Sequence, residues 1–234
     1  MKRFGWIYPE WWSLLISLLA WVAIVTQAFS AAHHHHDSWL SGVSHWMLMV
    51  LAMMLPFVIG PVRGTAVRSL WSRRHRAIAG FLLGYLAVWA PFGLIVPVVV
   101  SLLTFEVHLS TSLAAAAGFA MAALWQLAPA KQRALGACHR SMPLAPSGWR
   151  ADADCFRYGC VIGSTCVTSC WALMLACSLA GHSLSAMLCG TAVGSLERYA
   201  PRVDRKAILG AISAIALIYA ALALTLRRGR LIDH

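Results

Sequence analysis

Apolar positions gather into seven runs along the 234-residue chain, at about 11–31, 39–61, 77–103, 108–129, 158–180, 183–198 and 206–226. An α-helix crosses a ~30 Å hydrocarbon core in roughly 20 residues, so the runs have the scale of membrane spans. The sixth is short and rich in Gly, Ser and Thr. This pattern predicts an all-α fold: a polytopic integral membrane helical bundle with about seven transmembrane helices, or six if the sixth run is re-entrant. Residues 1–234 read as a single transmembrane domain, and 130–157 as its one long cytoplasmic loop. The first run, from Trp11, lacks a clear small-residue cleavage site before the histidines. It is expected to be a retained helix rather than a signal peptide.

The connections between runs alternate in charge. Lys2 and Arg3 precede the first run, and Arg63, Arg68, Arg73, Arg74 and Arg76 follow the second. Lys131, Arg133, Arg140, Arg150 and Arg157 fill the long loop, while Arg198, Arg202, Arg205 and Lys206 follow the sixth run. The intervening turns at His33–Ser38, Thr104–Glu106 and Gly181–His182 carry no Lys or Arg. Basic residues collect on the cytoplasmic side, so the N-terminus is expected inside and the His33–Asp37 turn outside. The basic tail, with Arg227, Arg228 and Arg230, fits six spans better than seven.

Composition narrows the class further. With 60% hydrophobic and 12% charged residues, the chain could not hide its apolar surface as a soluble domain. The net charge of +11 is accounted for by the basic loops, so the lipid bilayer is the expected partner and no nucleic acid is. Several of the seven cysteines fall inside apolar runs, unlike a secreted disulfide framework. Pro91 and Pro97 predict a kink or break in the third run. The "GFLLG" at 80–84 offers a face for close helix packing.

Four constellations could carry chemistry. In "HWMLMVLAMMLP", His45, Met49 and Met53 lie four residues apart and stack along one helical face. Imidazole with two thioethers suits a soft cation, Cu(I) above all, although methionine also fills gaps in membrane helices. Pro56 has no N–H, which leaves the Ala52 carbonyl without its helical donor. In "YGCVIGSTCVTSCWALMLACSLAG", Cys166 and Cys170 share a face one turn apart, spaced to clamp one thiophilic ion. Cys177 lies ~16 Å further along the axis, too far to join them. Gly159 and Gly163 continue that stripe as a packing face, which is the competing reading of these cysteines. Cys138, in the basic loop beside His139, is a third candidate, because cationic neighbours favour a thiolate. The fourth is the tract His33, His34, His35, His36 and Asp37. It reads as a loose collector of metal ions, as a polar turn between two spans, or, least of all, as a tag.

Depth links two of these sets. Met49 and Met53 lie roughly 15–20 Å below Trp39, and Cys166 and Cys170 roughly 12–18 Å above Tyr158. With the orientation above, both sets reach the middle of a ~30 Å core. One buried Met/Cys centre is therefore expected.

Taken together, these segments resemble a bacterial family described as predicted metal-binding integral membrane proteins, a domain of unknown function. Its W-x-x-M-x-x-A-M-M-x-P motif is matched by Trp46, Met49, Ala52, Met53, Met54 and Pro56. G-Y-x-x-x-W is matched by Gly84, Tyr85 and Trp89, and Q-x-x-P-x-K by Gln126, Pro129 and Lys131. Cys138 and Arg140 stand at the cysteine-rich turn that follows. The C-x-x-C-C-W-A-L-M motif is matched by Cys166, Cys170, Trp171, Ala172, Leu173 and Met174. The likeness covers residues 39–198 as a family-like core. Two of the family's cysteines are missing, with Ala134 and Ser169 in their places. The resemblance implies metal binding in a bacterial inner membrane and supplies no reaction.

The leading function is thus a copper-handling membrane protein, with Met49, Met53, Cys166 and Cys170 at the centre and His45 above them. The alternative is a non-catalytic accessory or scaffolding subunit that associates with other membrane subunits. A thiol oxidoreductase ranks third, since cysteines four apart on a helix are misdirected for a relaxed disulfide. No nucleophile with its base is recognisable, so no enzymatic reaction is assigned.

Overall fold

The computed structural model describes residues 8–30, 39–105, 110–138, 140–145, 147–200 and 204–232. Regular structure among them is entirely helical. In chain order the helices are α1 (Trp11–Ser30), α2 (Trp39–Met54), α3 (Ile59–Arg68), α4 (Arg74–Phe105) and α5 (Thr111–Trp125). They continue with α6 (Pro129–Ala137), α7 (Gly148–Leu179), α8 (Leu184–Tyr199) and α9 (Arg205–Ile232). Short 3-10 turns at Pro56–Val58 and Trp71–Arg73 precede α3 and α4.

Among the described residues, four helical stretches are long and apolar enough to cross a membrane: Trp11–Phe29, Trp71–Leu103, Gly148–Leu179 and Arg205–Leu226. Two bent pairs raise the number to six if each counts as one span. The first joins α2 to Pro56–Arg68 through a bend of 44°, and the second joins α5 to α6 through 75°. At 16 residues α8, the sixth apolar run, falls short of a full crossing. Large apolar side chains such as Leu18, Leu83 and Leu217 are exposed on these helices, as contact with lipid tails requires.

The break at Pro56 has a clear use. The Ala52 carbonyl accepts hydrogen bonds from the Ser17 hydroxyl at 2.9 Å and the Trp21 indole at 3.0 Å. The oxygen expected to stand free is therefore taken, and it ties α1 to α2. The neighbouring Pro56 carbonyl accepts from the Tyr199 hydroxyl at 2.5 Å, so α8 is held at the same break.

Of the kink or break expected in the third run, the break is absent: α4 runs through both Pro91 and Pro97. Each proline removes one ladder bond, and at Pro97 the close fit of its ring against Gly42 of α2 helps offset that loss. A Cβ at Gly42 of α2 would sit 2.9 Å from the Pro97 ring, and one at Gly93 of α4 would sit 2.8 Å from Trp46. The two helices thus fit ring against glycine.

Close packing is tightest between α4 and α7. A Cβ at Gly84 would lie 2.1 Å from the Phe156 carbonyl oxygen, and one at Gly159 would lie 2.0 Å from that of Phe81. Gly163 is closed in by Val88 and the Tyr85 backbone. Only glycine lets the backbones meet at these points. Helix α7 is the central element: 56% of its most apolar window is buried, against 17% for that of α4. It packs against α4, α5 and α6, while α9 covers α5.

Candidate metal centre

The cysteine face of α7 meets the methionines of α2 inside the main core. Met49, Met53 and Met54 come from α2, Cys166, Cys170 and Cys177 from α7, and Tyr85 from α4, all buried in one cluster. The Cys166 thiol sits 3.9 Å from the Met54 thioether sulfur, toward which it donates. It accepts in turn from the Tyr85 hydroxyl at 3.1 Å. Cys170 lies beside Cys166 along the helix, and its sulfur is 3.3 Å from the Ser169 hydroxyl. Ser169 donates to the Cys166 carbonyl at 2.9 Å.

This donor set fits a soft ion. Two sulfurs 3.9 Å apart, each about 2.3 Å from a common ion, subtend an angle of about 115°, between trigonal and tetrahedral. An ion that replaced the Cys166 proton would lie between the same two sulfurs. Among the described residues no group of three or more His, Cys, Asp or Glu side chains could hold a metal, and the third sulfur near Cys166 and Cys170 is the thioether of Met54.

The sequence-based candidates are distributed unevenly around this point. Met49 and Met53 are fully buried, as are Cys166 and, nearly, Cys170. The Met53 methyl, however, points at Gly190 of α8, where a Cβ would be 3.0 Å from it and 3.0 Å from the Cys177 sulfur. The methionine sulfur that reaches Cys166 belongs to Met54, one residue beyond the expected face. Cys138 is 1% exposed rather than solvated, with its thiol 3.5 Å from the Thr165 hydroxyl. His33, His34, His35, His36 and His139 lie outside the described residues.

Charged groups also stand near the sulfurs. The Arg198 guanidinium, at the end of α8, lies within electrostatic reach of Cys138, Cys166, Cys170 and Tyr85. Its Nη2 is buried with no hydrogen-bond partner. Lys131 and Glu197 form an ion pair at 2.9 Å, with side chains 3% and 4% exposed. Gln126 also donates to Glu197. The Q-x-x-P-x-K pattern thus supplies a clamp on Glu197, and Pro129 starts α6 so that Lys131 turns inward.

At the other end of the cysteine face, α7 closes in a Schellman turn. The His182 N–H bonds the Cys177 carbonyl at 3.0 Å, and the Gly181 N–H bonds that of Ser178 at 3.0 Å. His182 has φ +54°, a left-handed conformation uncommon outside glycine. Its ring lies 5.9 Å from that of His45, centroid to centroid. Burial pulls the His182 imidazole down to about 4, and the neighbouring His45 adds to the shift.

A family model described as PpoB2, copper chaperone, matches residues 43–224. The chain belongs to this family. The span matched by PpoB2 includes His45, the four α2 methionines, all seven cysteines, His182 and Arg198. It leaves out α1 and the His33–His36 tract. Membership agrees with the resemblance to metal-binding membrane proteins seen in the motifs. No curated protein and no solved structure matches the chain.

Proposed function

We propose that this chain is a membrane-embedded copper chaperone that carries Cu(I) as cargo on Met54, Cys166 and Cys170. The contact that carries this reading is the 3.9 Å approach of the Met54 and Cys166 sulfurs in a fully buried, Tyr85-braced pocket. Soft thiolate and thioether ligands select Cu(I) over the harder divalent ions. Binding requires the thiols to give up their protons. Two thiolates and one Cu(I) leave a single negative charge, which the Arg198 guanidinium, its buried Nη2 without a hydrogen-bond partner, balances. Tyr85 keeps donating to Cys166 and holds its sulfur in place.

Met49 and Met53 line the α2 face between this centre and the His45 end. In this reading they are transfer ligands, offering a thioether at each turn so that the ion never loses all its partners. The chain works in a bacterial inner membrane, with the His33–Asp37 turn outside.

Purified full-length protein, titrated with Cu(I) against a chromophoric competitor under reducing conditions, tests the proposal. Met54→Leu and Cys166→Ser should each lower the affinity strongly. If both variants hold copper as the parent does, the proposal is wrong. Copper-free protein that co-purifies with stoichiometric membrane subunits would favour the scaffolding reading instead.

A further inference from the structure

A pair of histidines stands at the far end of the same two helices. His45 projects from α2 about two and a half turns before Met54, and His182 from the turn that ends α7. Their rings are 5.9 Å apart and tilted by 45°. Both residues are half-buried, open enough to be reached from that end of the bundle.

The hydrogen bonds fix which ring nitrogens are free. His45 Nδ1 lies 2.7 Å from the Ser41 carbonyl, which can only accept, so Nδ1 carries the proton. Its Nε2 lone pair is left without a proton. The Ser178 hydroxyl spends its one hydrogen on the Met174 carbonyl at 3.2 Å. Toward His182 Nε2, 3.4 Å away, it must therefore accept. That places the His182 proton on Nε2 and leaves the Nδ1 lone pair available. Metal-ligating histidines are held in this manner, with the second nitrogen donating to an oxygen that sets tautomer and ring direction.

The spacing fits one ion. With a metal–nitrogen bond of about 2.0 Å and a ring centre about 1.2 Å further on, each centroid lies about 3.2 Å from the ion. Centroids 5.9 Å apart then correspond to an open angle of about 135° at the metal. Two ligands suffice for Cu(I), which accepts low coordination where Zn(II) takes four. The backbone also supports a fixed role, since the Schellman turn holds His182 in a left-handed conformation and leaves it little freedom to move.

We infer that His45 and His182 form a two-imidazole Cu(I) site at the mouth of the chain, distinct from the buried sulfur centre. This rests on the copper-chaperone reading for its cargo and adds the place where that cargo is first held. Two neutral imidazoles bind Cu(I) through dative bonds with no proton released, so capture is cheap and reversible. Movement to Met49, one turn below His45, and onward to Met54 and the thiolates follows increasing softness of the ligands.

The test uses the full-length protein with His33, His34, His35 and His36 all changed to Ala, so that the tract cannot bind. Cu(I) is titrated under reducing conditions, and bound copper is counted at saturation. The parent should hold one ion at each of two sites. His45→Gln and His182→Asn should each remove the same single ion, and the double variant should remove no more. Asn at 182 tolerates the left-handed backbone, so this variant keeps the turn. X-ray absorption of the ion lost should show nitrogen rather than sulfur neighbours. Cys166→Ser should remove the other ion and leave the histidine-bound one. If the histidine variants keep both ions, the mouth site is refuted while the sulfur centre stands. If only the Cys166→Ser variant keeps both, the sulfur centre is refuted and the mouth site stands.

Discussion

The Met54 sulfur lies 3.9 Å from the Cys166 thiol, and the Tyr85 hydroxyl donates to that thiol from the opposite helix at 3.1 Å. Three helices thus converge on one sulfur atom in the middle of the bundle. Their approach depends on glycines in α4 and α7, on the Pro56 break in α2, and on the ion pair that positions α8. Each of these supports makes a separate prediction.

Arg198 is placed to balance thiolate charge. Arg198→Met is expected to weaken Cu(I) binding by about tenfold, equivalent to about 1.4 kcal/mol. Arg198→Lys should recover most of it. Competition titrations of the three proteins, run at several pH values, check this. Equal affinities across the set would remove Arg198 from the account.

The glycine contacts predict a contrast between two alanine variants. Gly84→Ala puts a Cβ against the Phe156 carbonyl and must push α4 from α7, costing about 1–3 kcal/mol. Gly64→Ala in α3 meets nothing within 4 Å and should gain about 0.5–1 kcal/mol from helix propensity. Denaturation midpoints in one detergent compare them. Equal midpoints would mean that the α4–α7 contact is looser than described.

Glu197→Gln leaves Lys131 buried with its charge unpaired, and the expected cost is about 3–5 kcal/mol. Replacing both residues by apolar ones, Lys131→Met with Glu197→Leu, should restore much of that stability. A double variant no more stable than the single one would show that the pair does more than neutralise itself.

His182 makes the metal-free protein sensitive to acid. Its imidazole is held down at about 4, against 6.5 for an ordinary histidine. Between those values the unfolded chain binds the extra proton and the folded one does not, so stability falls as the pH drops through that window. Below about 4 both states are protonated and this contribution levels off. Thermal unfolding followed from pH 7 to pH 4 should lose less midpoint in His182→Asn than in the parent. Parallel curves would contradict the assignment.

Most of the helices were legible in the sequence because lipid-facing and core-facing positions are both apolar, which makes each span a long uninterrupted run. The limits of the sixth run were legible too, in its shortness. The place of Met54 was not. Four-residue spacing groups Met49 with Met53, but it cannot say which side of α2 faces α7. Met54 lies about 100° around the helix from Met53 and brings its sulfur to 3.9 Å from Cys166. Arg198 and Lys131 were hidden differently: a count of basic residues per loop treats them as solvated charge, whereas the bends at α5–α6 and the end of α8 carry them inward. Pro91 and Pro97 do not break α4, and the glycine that seats the Pro97 ring, Gly42, belongs to another helix, where a pattern read along the third run alone does not show it.

Copper K-edge X-ray absorption tests the central claim most directly, on full-length protein loaded with less than one equivalent of Cu(I) under reducing conditions. The sulfur centre should fill first, giving sulfur neighbours at about 2.3 Å, and Met54→Leu should lower the sulfur count without unfolding the protein. A first shell of nitrogen and oxygen alone in the parent, or a sulfur shell unchanged by both Met54→Leu and Cys166→Ser, would contradict a copper site between Met54 and Cys166.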